Sequence, residues 1–190
     1  QMVDLESGEI RKTTKNDLRD IACIADNLPQ ISFLWPSVSA QDCTSQVQPL
    51  HELQAVMAHT RKHVQAMTAV DPLNAQGTVE IAALLAGGNE ELKKRPIISN
   101  FQCSLSPLSY DGKGLAAALI FAEAGVPVGF LTMQIGCSTA PATLAGILAM
   151  GNAEILAGVT LLELLYPGAP TFYGACPTMM ELKRGGVTCG

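Results

Sequence analysis

Short apolar runs alternate with longer helical segments through most of this chain, and that alternation restricts the possible folds more than any other feature. The runs that predict strands are residues 31–34, 64–68, 97–103, 126–133 and 169–173. Neighbouring parallel strands need a crossover of a dozen or more residues between them, usually a helix. Continuous apolar runs are typical of strands that are covered on both faces. The sequence therefore predicts an α/β fold made of parallel β/α units.

The spacing of apolar residues predicts helices between these strands. They cover residues 18–27, 48–63, 78–85 with 90–94, 114–124 and 142–165. Asn16 and Asp17 are the expected caps of the first helix, and Gly87 with Gly88 interrupts the third. Five strands with four crossovers can form a complete doubly wound sheet or five-eighths of a (β/α)8 barrel. Because no predicted helix follows the fifth strand, we expect part of a barrel.

Composition removes several classes of protein. Hydrophobic residues make up 48% of the 190 and charged residues 15%, which excludes a disordered chain. The 17 acidic residues outnumber the 12 basic ones, and this balance argues against a nucleic-acid partner. The excess of apolar residues has three candidate explanations: a membrane segment, a large subunit interface or an incomplete domain.

The most apolar stretch, residues 140–165, contains Asn152, Glu154 and Glu163. Carboxylates are costly inside a bilayer, so we expect a buried or interface helix, no membrane partner and a homo-oligomer. The first residues show no secretory signal. Cysteines are scattered, without a CxxC pair, at positions 23, 43, 103, 137, 176 and 189. Reduced thiols and a cytoplasmic location are therefore the expectation.

Functional side chains of parallel α/β proteins gather at the carboxyl ends of the strands. Here those ends supply Trp35, Ser104, Gln134 and Tyr173, together with the small-residue segment 136–143. No His, Asp or Glu stands at a predicted strand end. An acid/base pair or a hydrolase triad is therefore unsupported, and no catalytic residue is assigned.

The segment 136–143 has two interpretations that the sequence leaves open. Small residues such as Gly136 let a backbone approach a ligand closely, and a following helix offers free N–H groups to an anion or carboxylate. A tight loop with Ser138 or Thr139 as the helix cap explains the same residues without a ligand.

Two weaker motifs point to other chemistry. His59 and His63, four apart on a predicted helix, could face one metal ion, but Arg61 and Lys62 between them oppose a dication, so no metal is expected. Residues 112–117 match the GxGxxA form of the dinucleotide fingerprint and would indicate a nucleotide-binding oxidoreductase of doubly wound type. The long loop before this motif argues against that alternative.

Three ordered segments, residues 136–146, 152–158 and 166–174, resemble the trimethylamine methyltransferase (MttB-like) family. Residues 17–29, 105–108 and 124–128 also resemble its pattern. Members are considerably longer than this chain. The resemblance therefore implies that residues 1–190 are the central portion of a single TIM-barrel methyltransferase domain, a (β/α)8 barrel.

The resemblance also implies an activity and a partner. Members move a methyl group from a methylated amine, such as trimethylamine or the quaternary amine glycine betaine, to Co(I) of a corrinoid on a separate protein. This chain would hold no corrinoid tightly itself. No pyrrolysine occurs in these 190 residues, and the subfamily stays open. A non-catalytic interaction domain is the alternative from another class.

The implied substrate suggests which residues bind it. Aromatic faces attract a trimethylammonium group, so Trp35 and Tyr173 at strand ends are candidates and Tyr110 in a loop is a third. The expected substrate-binding set is completed by Ser104, Gln134, Gly136, Ser138 and Thr139. Removing a methyl from a quaternary nitrogen leaves a neutral amine, so positioning matters more than proton transfer.

Overall fold

The computed structural model describes residues 1–188 as an α/β fold around a curled parallel sheet, so Cys189 lies outside the described residues. The strands are β1 (Met2–Val3), β2 (Ile10–Arg11), β3 (Phe33–Leu34), β4 (His63–Gln65), β5 (Ile98–Leu105), β6 (Ser109–Tyr110), β7 (Val128–Thr132), β8 (Ile135–Gly136), β9 (Thr171–Ala175), β10 (Thr178–Glu181) and β11 (Gly186–Thr188). The helices are α1 (Lys15–Asn27), α2 (Gln48–Met57), α3 (Pro72–Ala86), α4 (Asn89–Lys94), α5 (Gly112–Glu123) and α6 (Leu144–Leu165).

The main sheet has the strand order β3-β4-β5-β7-β9, and every neighbouring pair in it is parallel. Each strand is added beside the previous one, so the order never reverses as it does in a doubly wound sheet. The sheet curls into a half-barrel. The prediction of an α/β fold forming part of a (β/α)8 barrel is confirmed, and the doubly wound alternative is wrong.

The two faces of this sheet differ in what covers them. Leu34, Val64 and Ile98 lie side by side in register and are buried on the convex face, which the helices cover. Phe101, Gly129 and Phe172 form a row on the opposite, concave face. Successive side chains along a strand point to opposite faces of the sheet. The strand register therefore determines, for every residue of the main sheet, whether its side chain lies on the convex or the concave face.

The N-terminus of α1 differs from the sequence prediction. Its N-cap is Thr14, not Asn16 or Asp17, and the Asp17 carboxylate accepts hydrogen bonds from Thr14 N at 2.7 Å and Thr14 Oγ1 at 2.9 Å. Arg11 adds two hydrogen bonds to the same carboxylate, at 2.6 Å and 2.8 Å. The Arg11 guanidinium and the Thr14 donors hold the pKa of Asp17 well below its ordinary value of 3.8.

Removing this carboxylate is expected to weaken the fold. An Asp17→Ala variant should lose about 2 kcal/mol of unfolding free energy, because a charged acceptor of several hydrogen bonds disappears. The contribution of Asp17 is present above pH 3.8 and is lost as pH falls towards its lowered folded-state pKa. Urea unfolding at pH 7 and pH 3 measures both effects. Asp20→Ala, at an exposed site on the same helix, is the control and should change stability by less than about 0.5 kcal/mol.

Two helix starts lie at residues that the apolar pattern does not mark. Asp71 caps α3 by accepting from Asn74 N at 3.1 Å, and Pro72 takes the first helical position. Gly87 then ends α3 with φ +93°, as the glycine pair predicts.

Thr143 caps α6 through its Oγ1, which accepts from Gly146 N at 3.1 Å. Ser138 and Thr139 are therefore not the cap of this helix.

Helix α6 is long and apolar enough, by length and composition alone, to cross a membrane. One side of it packs on the sheet and is buried, including Gly151, Glu154 and Gly158. Close approach is possible at Gly158, where a Cβ would lie 2.7 Å from the Phe130 ring of β7. This packing agrees with the expectation of a buried or interface helix.

A separate three-stranded sheet combines β8, which follows β7 in the chain, with β10 and β11, which follow β9. Strands β10 and β11 form an antiparallel hairpin, and β10 pairs in parallel with β8. The sequence pattern predicts none of these three strands, because each is short and lacks an apolar run.

Candidate functional site

The carboxyl edge of the half-barrel brings side chains from several strands together on the concave face. Cys103, Leu131 and Gly174 lie in one row at this edge. One layer below, the rings of Phe101 and Phe172 stack at 5.3 Å with an interplanar angle of 5°. They meet across Gly129, which has no side chain to separate them. The floor of the site is therefore aromatic.

The strands themselves bring no formal charge to this face. None of β3, β4, β5, β7 and β9 contains an Asp, Glu, Lys or Arg. His63 is on β4, with Nε2 2.9 Å from Ser99 Oγ, and burial lowers its pKa. The concave face is thus neutral near pH 7.

Trp35 follows β3 directly and lies at the carboxyl edge. Its ring centroid is 6.2 Å from that of Phe33, and the two side chains are exposed. This pair presents an accessible aromatic surface beside the neutral face. Among the sequence-predicted site residues, Trp35 has the surroundings that suit binding of a soft cation.

A cavity of about 260 Å³ opens at the same edge, between the segment after β4, the strand β5 and the start of α5. Its lining includes Met67, Phe101, Cys103, Tyr110 and, as its one charged residue, Asp111. This volume lies below the roughly 300–1,000 Å³ that is usual for ligand sites, so it suits only a very small organic molecule.

Ser104 is buried and faces the helix layer. Its Oγ donates to the carboxylate of Glu154 on α6 at 2.6 Å, and Ser106 Oγ donates to the same oxygen at 2.9 Å. Leu108 N donates to the other oxygen at 2.8 Å. We call residues 104–110, from the end of β5 through β6, the mouth turn. In the sequence Glu154 is a carboxylate within an apolar helix, which favours packing against a neighbouring element, and the structure shows that this element is the mouth turn.

Gln134 and Gly136 are packing residues in this structure. Gln134 is buried against Gly151, and its Nε2 donates to Ile147 O at 3.1 Å. Its Oε1 has no partner within residues 1–188. Gly136 lies in β8, where a Cβ would collide with Met179 and Ile147. The sequence places both residues correctly after β7, but it does not show that they face the protein interior.

The residues after Gly136 form a compact turn. Thr139 Oγ1 accepts from Ile135 N at 2.9 Å, and Cys137 has φ +66°. Ser138 is exposed. Because α6 starts at Leu144, Ser138 and Thr139 do not stand at its N-terminus. This geometry favours the tight-loop interpretation of residues 136–143.

Tyr173 lies in the middle of β9, not at its end. It pairs in register with Phe130, whose ring packs on α6, so Tyr173 points to the convex face. Its hydroxyl donates to Asn152 Oδ1 at 3.4 Å, and the side chain is exposed. Tyr173 and Trp35 are therefore not brought together.

Comparison with known proteins assigns the chain. The model of the trimethylamine methyltransferase (MTTB) family matches residues 1–190. This chain belongs to the trimethylamine methyltransferase family.

Individual relatives agree with this assignment. Trimethylamine methyltransferase MttB of Desulfitobacterium hafniense (strain DSM 10664 / DCB-2) is 32% identical over 96% of this chain and 37% of the relative. Glycine betaine methyltransferase of D. hafniense (strain Y51) is 33% identical over 96% of this chain and 38% of its own length. Trimethylamine methyltransferase MttB1 of Methanosarcina acetivorans is 35% identical over 94% of this chain and 36% of its own length. The chain thus spans little more than a third of these curated relatives.

The two weaker motifs have structural roles in this member of the trimethylamine methyltransferase family. His63 belongs to β4 and His59 follows α2, with its Nδ1 2.8 Å from Ala55 O, so the two are not four apart on one helix. Within residues 1–188 no group of three potential ligands surrounds a metal position. At the start of α5, Asp111 Oδ2 accepts from Gly114 N at 2.8 Å. A carboxylate there competes with a phosphate, which argues against dinucleotide binding.

Tyr110 lies on β6 and is half-buried. Its hydroxyl donates to Glu154 O at 2.7 Å, and its ring meets Phe130 edge-on at 5.5 Å. Burial, together with the negative charge of Glu154, raises the pKa of Tyr110 to about 12.

This raised pKa predicts an alkaline loss of stability. Below pH 10 both states keep the phenol proton. Between pH 10 and about 12 only the unfolded state loses it, so the free energy of unfolding should fall as pH rises through this window. Denaturation of the protein and of Tyr110→Phe at pH 9 and pH 11 measures the effect. An equal decline in the two proteins would contradict the assignment to Tyr110.

Proposed function

We propose that the protein containing this chain transfers a methyl group from a methylated amine to a corrinoid that a partner protein carries. Family membership over residues 1–190 is the observation that carries this proposal. The names of the relatives include trimethylamine and glycine betaine, two compounds that share a methylated nitrogen. The enzyme class is therefore a one-carbon transferase.

The reaction needs positioning and a neutral surface. The bond between nitrogen and the transferred methyl breaks, nitrogen keeps the electron pair, and a quaternary donor leaves as a neutral amine. The corrinoid is the methyl-accepting substrate and supplies the nucleophile. The strands of the concave face bring no carboxylate or cation that would compete for the charge of the donor, and their fixed aromatic rings orient the donor without a proton transfer.

Trp35 is the residue that we place in contact with the donor. An indole face is the strongest of the aromatic binders of a quaternary ammonium group. Phe33 beside Trp35 widens this surface. Substrate binding by Ser104, Gln134, Gly136, Ser138, Thr139 and Tyr173 stays a prediction, and their contacts described above support packing and turn roles instead.

We further propose that residues 1–190 form the central portion of one barrel domain. Large apolar side chains are exposed at both margins of the half-barrel: Ile24 on its first helix, Tyr173 on its last strand, and Leu148, Leu156 and Leu164 on its last helix. Such exposure is expected where neighbouring barrel elements or another subunit pack. A cytoplasmic location and a homo-oligomeric state remain predictions.

A substrate panel tests the function and its donor. The full-length protein, mixed with its reduced corrinoid partner protein, should release a demethylated amine from trimethylamine or glycine betaine. A neutral analogue in which carbon replaces the charged nitrogen should not bind competitively, because it lacks the cation. Turnover of neither amine would refute the proposed function, whereas equal binding of the neutral analogue would refute recognition of the donor by its charge.

A further inference from the structure

The carboxylate of Glu154 is 2% exposed on an otherwise apolar helix. Within residues 1–188 no cation is paired with it. Its two oxygens instead accept the three hydrogen bonds from Ser104, Ser106 and Leu108. Burying a charge without a counter-ion is costly unless hydrogen bonds replace water, as they do here.

All three donors belong to the mouth turn, and a fourth contact joins the same partners through Tyr110 Oη and Glu154 O. Leu108, which donates its N–H, has φ +55°, a conformation that a branched side chain rarely adopts. A strained residue persists when its surroundings determine it, and Glu154 supplies that constraint. One side chain on α6 therefore holds the whole turn.

The position of the turn matters because it borders the cavity at the carboxyl edge. Cys103 immediately before the turn and Tyr110 at its end both line that cavity. A displacement of the mouth turn would therefore change the cavity wall at both Cys103 and Tyr110.

We propose that Glu154 is a positioning residue that holds the mouth turn as a preformed wall of the carboxyl-edge cavity, and that this cavity is part of the methylated-amine site. The inference rests on the proposed function. Glu154 touches no substrate itself; it acts through Ser104, Ser106 and Leu108.

The decisive variant is Glu154→Gln in the full-length protein, because glutamine keeps the volume but loses the charge and one acceptor. KM for the amine should rise about 10-fold while kcat stays within about threefold. Amide hydrogen exchange of residues 104–110 should also accelerate about 10-fold. Glu163→Gln is the matched control on the same helix. It is exposed, accepts from Gly168 N, and lies roughly 13 Å further along the axis, so neither quantity should change.

Ser106→Ala keeps the proposal testable if Glu154→Gln folds poorly. It removes one donor and should shift KM and exchange in the same direction by a smaller factor. The double variant should be no worse than Glu154→Gln, since both changes break the same contact.

The outcomes separate the two claims. Unchanged exchange in Glu154→Gln would overturn the positioning role. Faster exchange with unchanged KM would overturn the assignment of the turn to the site wall. If the unmodified protein demethylates no amine, the proposed function is refuted, and so is the claim that the mouth turn forms a wall of the amine site. Hydrogen exchange would still report whether Glu154 holds the mouth turn.

Discussion

A Gly129→Val variant is expected to lose about 3 kcal/mol of unfolding free energy. A Cβ at position 129 would lie 2.5 Å from Phe101 Cδ2 and would also collide with the ring of Phe172. The two rings stack across this glycine, and both neighbouring strands fix their positions, so neither can move without disturbing the sheet. Equilibrium urea unfolding of the protein measures the loss.

Gly186→Val is the matched control for this substitution. Gly186 also lies in a strand, but a Cβ there would meet nothing within 4 Å. Its stability should change by less than about 0.5 kcal/mol. Equal stability of the two variants would show that the aromatic floor of the site is not packed across Gly129.

A Trp35→Ala variant is expected to lower kcat/KM for the methylated amine roughly 30-fold, because a desolvated cation–π contact is lost. Trp35→Phe keeps an aromatic face and should lose only about fivefold. Both effects should appear mainly in KM, since ring and cation interact in the ground state as well as in the transition state. Steady-state kinetics of the full-length protein with its corrinoid partner measures them.

Tyr166→Leu is the control for loss of an aromatic ring. Tyr166 follows the far end of α6, at the amino edge of the sheet, and should leave kcat/KM within about twofold. An unchanged kcat/KM in Trp35→Ala would show that Trp35 is not part of the site. Similar losses in Trp35→Ala and Trp35→Leu, with only the roughly fivefold loss in Trp35→Phe, would support the aromatic contact.

Local sequence patterns were sufficient for the kind and order of the elements in the half-barrel. The apolar runs predicted the five parallel strands, and Gly87 with Gly88 predicted the break between α3 and α4. Contacts between residues that are distant in sequence make some elements end at other residues than the local pattern predicts. Lys62 Nζ donates to Ala25 O and Leu28 O, and Thr60 Oγ1 donates to Asp26. These bonds tie the chain after Met57 to α1, so α2 stops well before His63.

The candidate site was harder to predict because the face of a side chain depends on the strand register, and its distance from the carboxyl edge depends on the exact strand bounds. Placing the last strand at 169–173 puts Tyr173 at its end, whereas β9 runs two residues further. Its pairing with Phe130 then puts Tyr173 on the convex face. The sequence predicts that Glu154 packs against a neighbouring element but not which one, because its partners are 46 to 50 residues away, beyond any local pattern.

Transfer of a labelled methyl group in a single turnover tests the central claim most directly. The full-length protein should be mixed with one equivalent of methyl-labelled trimethylamine or glycine betaine and an excess of the reduced corrinoid partner protein. We predict equal amounts of demethylated amine and of label on the partner protein, with no transfer when this protein is omitted. Intact amine and an unlabelled partner, for both donors, would contradict the account.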